Sequence, residues 1–207
     1  MRKLLLHLCC GPCAIMPVLS LREAGFEPFG CFYNPNIHPL QEYLLRREAV
    51  LAAAEKLALP LLWPQPESQA WDLPQWLAAV PFSEKRQVRC RVCYALRLER
   101  TAFWAREQGF DAFGSSLLYS RHQAHELIRE EGERAANKFG IDFLYMDFRS
   151  GWQRGIELAK EWGLYRQNYC ACIYSETERH QRSWQKASAK LPSAGPEVRP
   201  VFCPPLC

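Results

Sequence analysis

The chain has 207 residues, 48% hydrophobic and 23% charged, so one well-packed domain is the default, with two small ones the alternative. Its net charge of +4 is too small to mark a nucleic-acid binder by itself, and no run approaches the roughly 20 apolar residues of a membrane span. The ten cysteines follow a start, Met1-Arg2-Lys3, whose apolar stretch is short for a secretory leader and lacks a small-residue cleavage site; they predict a cytoplasmic protein that binds metal or does thiol chemistry.

Leu4 to Leu8 is an apolar run halted by Cys9-Cys10-Gly11-Pro12-Cys13. It predicts a buried parallel strand with three thiols on the loop at its carboxyl end, the edge of an open α/β sheet where ligands bind. Ala14 to Ala24 has a helical pattern, with Gly25 as its cap. Phe29 to Tyr33 reads as a second strand, closed by Asn34-Pro35-Asn36, and Gln41 to Leu57 as a long amphipathic helix with Glu42 and Arg46 at the i,i+4 spacing. Leu59 to Trp63 is a short third strand interrupted by Pro60. Pro64 to Pro81, with four prolines, Trp71 and Trp76, is an excursion holding one short helix, and it leads through residue 89 to a Cys90-Arg91-Val92-Cys93 loop. A helix then runs to Gln108 and stops at Gly109.

Ala112 to Leu118 is the fourth strand, Arg121 to Phe139 a helix, Ile141 to Phe148 the fifth strand and Gln153 to Trp162 a helix. Cys170-Ala171-Cys172 falls in a loop before a last helix from Tyr174, and a Pro/Ser/Gly-rich tail over 188–207 carries Cys203 and Cys207. The alternation predicts a three-layer α/β domain over 1–187: a mostly parallel, Rossmann-like sheet of about five strands with helices on both faces.

Cys9-Cys10 and Cys90-x-x-Cys93 together supply four thiolates, a set that suits tetrahedral zinc or an iron–sulfur cluster. Adjacent ligands are awkward for structural zinc and suit a cube with separate irons better; a thiol–disulfide relay is the third option. Cys13 begins a helix whose dipole favours thiolate, so it reads as a reactive thiol, a ligand to a further metal, or a cysteine packed on the sheet. Cys170 and Cys172 can form only a small, strained ring, which fits a redox pair; unpaired thiols or other ligands are the alternatives.

His7 lies in a strand and reads as core. His38, His122 and Asp147 fall where loops meet the sheet's ligand edge and are candidates to position or protonate a substrate. Between Glu84 and Arg100 six Lys/Arg face two Glu. Lys85, Arg86, Arg89 and Arg91 surround the proposed metal loop and are expected to draw an anionic polymer to it. Arg166, Tyr165 and Tyr169 would add a cation and stacking platforms; a solvated basic face is the plain alternative.

Four stretches resemble, in order, the QueH-type epoxyqueuosine reductases: Leu-His-Leu-Cys-Cys-Gly-Pro-Cys (6–13), Phe-Tyr-Asn-Pro-Asn-Ile-His-Pro (32–39), Arg-Cys-Arg-Val-Cys-Tyr-Ala-Leu-Arg-Leu (89–98) and Gly-Leu-Tyr-Arg-Gln-Asn-Tyr-Cys-Ala-Cys-Ile-Tyr-Ser (163–175). The resemblance runs from about Leu4 to Glu178. It implies reduction of an epoxide on the modified wobble guanosine of a tRNA anticodon, the last step of queuosine synthesis. It also implies a 4Fe-4S cluster on Cys9, Cys10, Cys90 and Cys93, a redox-active pair at Cys170 and Cys172, and an additional mononuclear iron for which Cys13 is the candidate ligand. The implied fold is similar to HUP-like, ATP-pyrophosphatase domains.

No Gly-x-Gly-x-x-Gly pattern or cobalamin signature is evident, so an external electron donor is expected, without flavin or cobalamin. Two other readings compete. A zinc-stabilised RNA-binding module would use the same thiols structurally. An ATP-using tRNA thiolation enzyme would want a Ser-Gly-Gly-x-Asp-Ser loop where this chain has Cys10-Gly11-Pro12-Cys13.

Overall fold

Leu4, Leu5 and Leu6 are wholly buried, and they form the middle of the central strand, β1 (Arg2–His7). In a computed structural model of the chain, residues 1–63, 72–80 and 85–190 are described. After β1 come α1 (Gly11–Glu23), β2 (Phe26–Cys31), α2 (Leu40–Lys56), β3 (Leu61–Leu62), α3 (Leu73–Ala79), α4 (Arg86–Glu107), β4 (Ala112–Ser115), α5 (His125–Phe139), β5 (Asp142–Phe143), α6 (Trp152–Glu161) and α7 (Ile173–Ser188). Five parallel strands pair in the order β3-β2-β1-β4-β5, with Leu5 opposite Phe29 on one side and Phe113 on the other. α1 packs with α2 and α6, and α4 with α5; the chain's crossing from β3 to β4 sets these groups on the sheet's two faces.

This order places the functional edge. The chain leaves β1 toward β2 on one side, while β4 lies on the other, so the loops after β1 and β4 diverge and open a crevice between them. Gly11 lets α1 start deep in that crevice: a Cβ there would stand 2.1 Å from the Ala49 carbonyl oxygen of α2.

Several boundaries differ from the sequence expectation. β3 and β5 are two residues each, because edge strands find only one pairing partner. β4 stops at Ser115, whose hydroxyl accepts the Leu117 amide and turns Ser116–Tyr119 into a 3-10 helix. The helix expected from Arg121 starts at His125. Cys90 and Cys93 are not in a loop: α4 begins at Arg86 and carries both in its first turns, since no glycine or proline interrupts residues 85–108. One short helix does occupy the proline-rich excursion, capped by the Asp72 carboxylate on the Gln75 amide. Trp71, residues 64–71 and 81–84, and the tail over 191–207 with Cys203 and Cys207 lie outside the described residues.

Candidate active site

Three cysteines cluster at the end of β1. The Cys9 amide donates to Ser116 Oγ at 3.1 Å, and that hydroxyl donates back to Cys9 Sγ at 3.6 Å, tying the β1 loop to the turn after β4. Cys10 caps α1, its sulfur accepting the Cys13 amide at 3.3 Å. The sulfurs of Cys9, Cys10 and Cys13 all lie within 4.8 Å of one another, so this trio could hold a metal ion. Cys10 and Cys13 are joined as a disulfide; metal binding needs them as thiolates, hence reduced. Cys13, the odd thiol in the sequence, belongs to the tightest sulfur group among the described residues.

A cavity of about 540 Å³ opens over this trio, with Cys9, Cys13 and Cys170 in its walls. A smaller pocket adjoins it, lined by Cys90, Cys93, Cys170 and Cys172. Spacing of three along α4 puts Cys90 and Cys93 on one helix face. Burial pushes the Cys93 thiol up to about 12 and raises Cys90 and Cys9 as well. Cys170 and Arg97 line both spaces, between the β1 thiols and the α4 thiols.

The Cys170-Ala171-Cys172 segment is held from three sides. The His38 amide donates to the Ala171 carbonyl, and Tyr169 Oη donates to the His38 carbonyl at 2.8 Å. Arg46 donates to the Tyr169 carbonyl at 3.0 Å while paired with Glu42 at 2.7 Å, both buried in α2. Glu42 also accepts from Tyr165 Oη at 2.5 Å. Gln123 takes the Tyr94 hydroxyl's hydrogen at 2.6 Å and donates its own amide to Cys170 Sγ at 3.5 Å. Cys172 caps α7, and Cys170 and Cys172 are both free thiols. Gln167 reaches back to Cys10 Sγ at 2.8 Å.

The remaining candidates separate. His7 is core: Nε2 is 3.0 Å from the Tyr33 carbonyl, Nδ1 3.1 Å from Ser115 Oγ, and burial, then the Arg97 charge, lowers its pKa to about 3. His38 contributes backbone groups. His122 lines the large cavity, edge-on to Trp152 at 6.0 Å. Asp147 is absent from the lining; the Arg149 guanidinium holds its carboxyl down to about 2, so it carries no proton to donate near neutrality.

The basic run is divided by the helix it lies on. Lys85 and Arg86 are exposed, and Arg86 lines both spaces. Arg89 is buried against Glu178 and Tyr174. Arg91 points to α5, pairing with Glu130 and Glu131. Arg166 lines the large cavity, whose far wall stacks Tyr119 on Trp152 at 5.1 Å with Arg121 5.5 Å from the Trp152 ring. The sequence reading gave no role to Arg97, Gln123, Gln167 or Trp152. Arg97 alone had a local signal, standing four residues after Cys93 on one helix face.

The family model for "Epoxyqueuosine reductase QueH" matches residues 4–178. A relative from Histophilus somni named epoxyqueuosine reductase QueH is 38% identical over 193 residues, 91% of this chain and 77% of that protein. One of the same name from Thermotoga maritima is 36% identical over 187 residues, covering 88% of this chain and 94% of its own. Among solved structures, a predicted subunit of a tRNA methyltransferase from Methanocaldococcus jannaschii superposes with a TM-score of 0.51 at 14% identity, over 78% of this chain and 76% of that one. That likeness is one of fold.

Proposed function

The chain belongs to the epoxyqueuosine reductase QueH family, and we propose that its chemistry is carried out in the cavity between Cys9 and Cys170. It is an oxidoreductase of queuosine biosynthesis that reduces epoxyqueuosine to queuosine. The substrate is borne on the wobble position of a tRNA anticodon. A zinc-stabilised RNA-binding module is not favoured, because relatives spanning most of the chain are named reductases.

Epoxide-to-alkene reduction with loss of water consumes two electrons and two protons. Oxidation of the Cys170/Cys172 dithiol to a disulfide releases two of each, and an external donor restores it. The observation that carries this reading is that Cys170 lies in both thiol-lined spaces, with Cys9 and Cys13 in one and Cys90, Cys93 and Cys172 in the other. A space of about 540 Å³ is of the size that takes a nucleoside. Trp152 offers a stacking face there, and Arg166 and Arg179 offer charge to the RNA backbone. His122, in the cavity wall, is the remaining candidate to hand a proton to the departing oxygen.

We assign a 4Fe-4S cluster to Cys9, Cys10, Cys90 and Cys93, with Cys13 as a ligand to a further iron. The donor set fits by its chemistry: all four groups are thiols, Cys9 and Cys10 at the end of β1 and Cys90 and Cys93 in the first turns of α4. When bound, such a centre supplies electrons one at a time and an adjacent iron acts as a Lewis acid. No helix of the described residues is long and apolar enough to cross a membrane, and we place the reaction in the cytoplasm, where tRNA is.

The test is mass spectrometry of nucleosides from epoxyqueuosine-bearing tRNA incubated with anaerobically reconstituted protein and a chemical reductant. Queuosine should appear. Its absence with an iron-loaded protein, or a Cys90→Ala protein that assembles a normal cluster, overturns the assignment.

A further inference from the structure

Among the described residues, Arg97 is a buried cation with no ion-pair partner. Its side chain is only 2% exposed. Nε donates to the Cys93 carbonyl at 3.2 Å, and the guanidinium carbon is 5.6 Å from the Tyr94 ring centre. Nη2 has no hydrogen-bond partner. No carboxylate meets it in the ion pairs of the described residues. The other buried arginines are answered, Arg46 by Glu42 and Arg89 by Glu178.

A guanidinium cannot shed its proton to escape burial, and a buried charge is costly unless something of opposite sign faces it. Arg97 shares both adjoining spaces with thiols, Cys9, Cys13 and Cys170 in one and Cys90, Cys93, Cys170 and Cys172 in the other; Arg86 and Glu178 also line both, and Glu178 is paired with Arg89. A centre held by four thiolates is a net anion whether its metal is iron or zinc.

We propose that Arg97 is the internal counter-ion of the metal centre: a positioning residue that makes the space between the two thiol walls a site for a net anion and raises the centre's reduction potential. The potential rises because reduction adds negative charge beside a fixed positive one. Arg97 thereby trades stability of the metal-free chain for stability of the loaded one. The inference rests on the cluster reading above.

Two variants test it, Arg97→Met, which keeps length without charge, and Arg97→Lys, which keeps charge. Each is melted metal-free under reductant, then reconstituted with iron and sulfide and titrated spectroelectrochemically. Metal-free Arg97→Met should melt higher than the parent, as expected when an unpaired buried charge becomes a hydrophobe. Reconstituted, it should either lose iron or show a reduced-to-oxidised ratio at least about tenfold lower at fixed potential, a negative shift of about 59 mV for a one-electron couple. Arg97→Lys should retain its iron and stay within about threefold of the parent ratio.

A lower melting point of metal-free Arg97→Met, its failure to fold, or an unmoved potential overturns the proposal and leaves Arg97 a packing residue. Parent protein that takes up zinc but no iron overturns the cluster reading instead. In that case the metal-free melting comparison still decides whether Arg97 lacks a partner.

Discussion

The amide nitrogen of His38 donates to the carbonyl oxygen of Ala171 at 2.8 Å. The loop after β2 is thus fastened to the residue between Cys170 and Cys172. Ala171 is fully buried at φ 92°, a conformation that L residues rarely adopt. The dithiol's geometry is therefore imposed by its surroundings.

Ala171→Val should be destabilised by about 2–3 kcal/mol, since a β-branched side chain at positive φ adds strain and a buried site has no room for it. Ala171→Gly suits the backbone and should fall within about 1 kcal/mol of the parent. Urea unfolding midpoints check both.

Cys170→Ser and Cys172→Ser should each keep the parent's iron content and spectrum while losing multiple turnover. Iron and sulfide analysis beside a nucleoside time course separates the two effects. Full multiple turnover in either variant refutes the two-electron role of the pair.

Trp152 stacks on Tyr119 and carries Arg121 above it. Trp152→Ala should weaken binding of unreactive tRNA by about 1–3 kcal/mol, the usual worth of one base-stacking platform. Arg121→Ala should lower the salt slope of binding by about one. Titrations at several salt concentrations read both, and unchanged iron content shows that the metal side is untouched.

His7 sets a pH dependence of folding. Its pKa is about 3 in the folded chain, through burial and then Arg97, and about 6.5 unfolded. The unfolded state therefore binds a proton first as pH falls, so this stability is present above about pH 6.5 and drains away on descent toward pH 3. Between pH 7 and pH 5 the loss is about 2 kcal/mol. His7→Gln, which cannot take up that proton, should show a flatter stability profile over this window.

The apolar run at Leu4 to Leu8 was enough to identify the central strand, because a strand buried on both faces has no polar alternation to blur it. The same reasoning overextended the last strand to Phe148, since apolar character continues after its pairing with β4 ends at the Leu144 amide. The Cys90-x-x-Cys93 pair was read as a loop from its chemistry, although the residues around it are ordinary helix formers. Once on a helix, Arg89 and Arg91 lie about 200° apart around its axis. One is buried against Glu178 and the other runs to α5, so the basic run is not one surface.

The sequence by itself determined the inventory: which residues carry sulfur, in what order, and that the first thiols follow a buried strand. Tertiary structure alone decided who meets whom. Strand order sets β4 beside β1, which brings Ser116 to Cys9 across 107 positions. The packing of α4 sets Arg97 in the thiol-lined spaces with no ion-pair partner among the described residues. Local patterns could not reveal such neighbours, because a contact between distant segments depends on the whole topology and no stretch of chain encodes it alone.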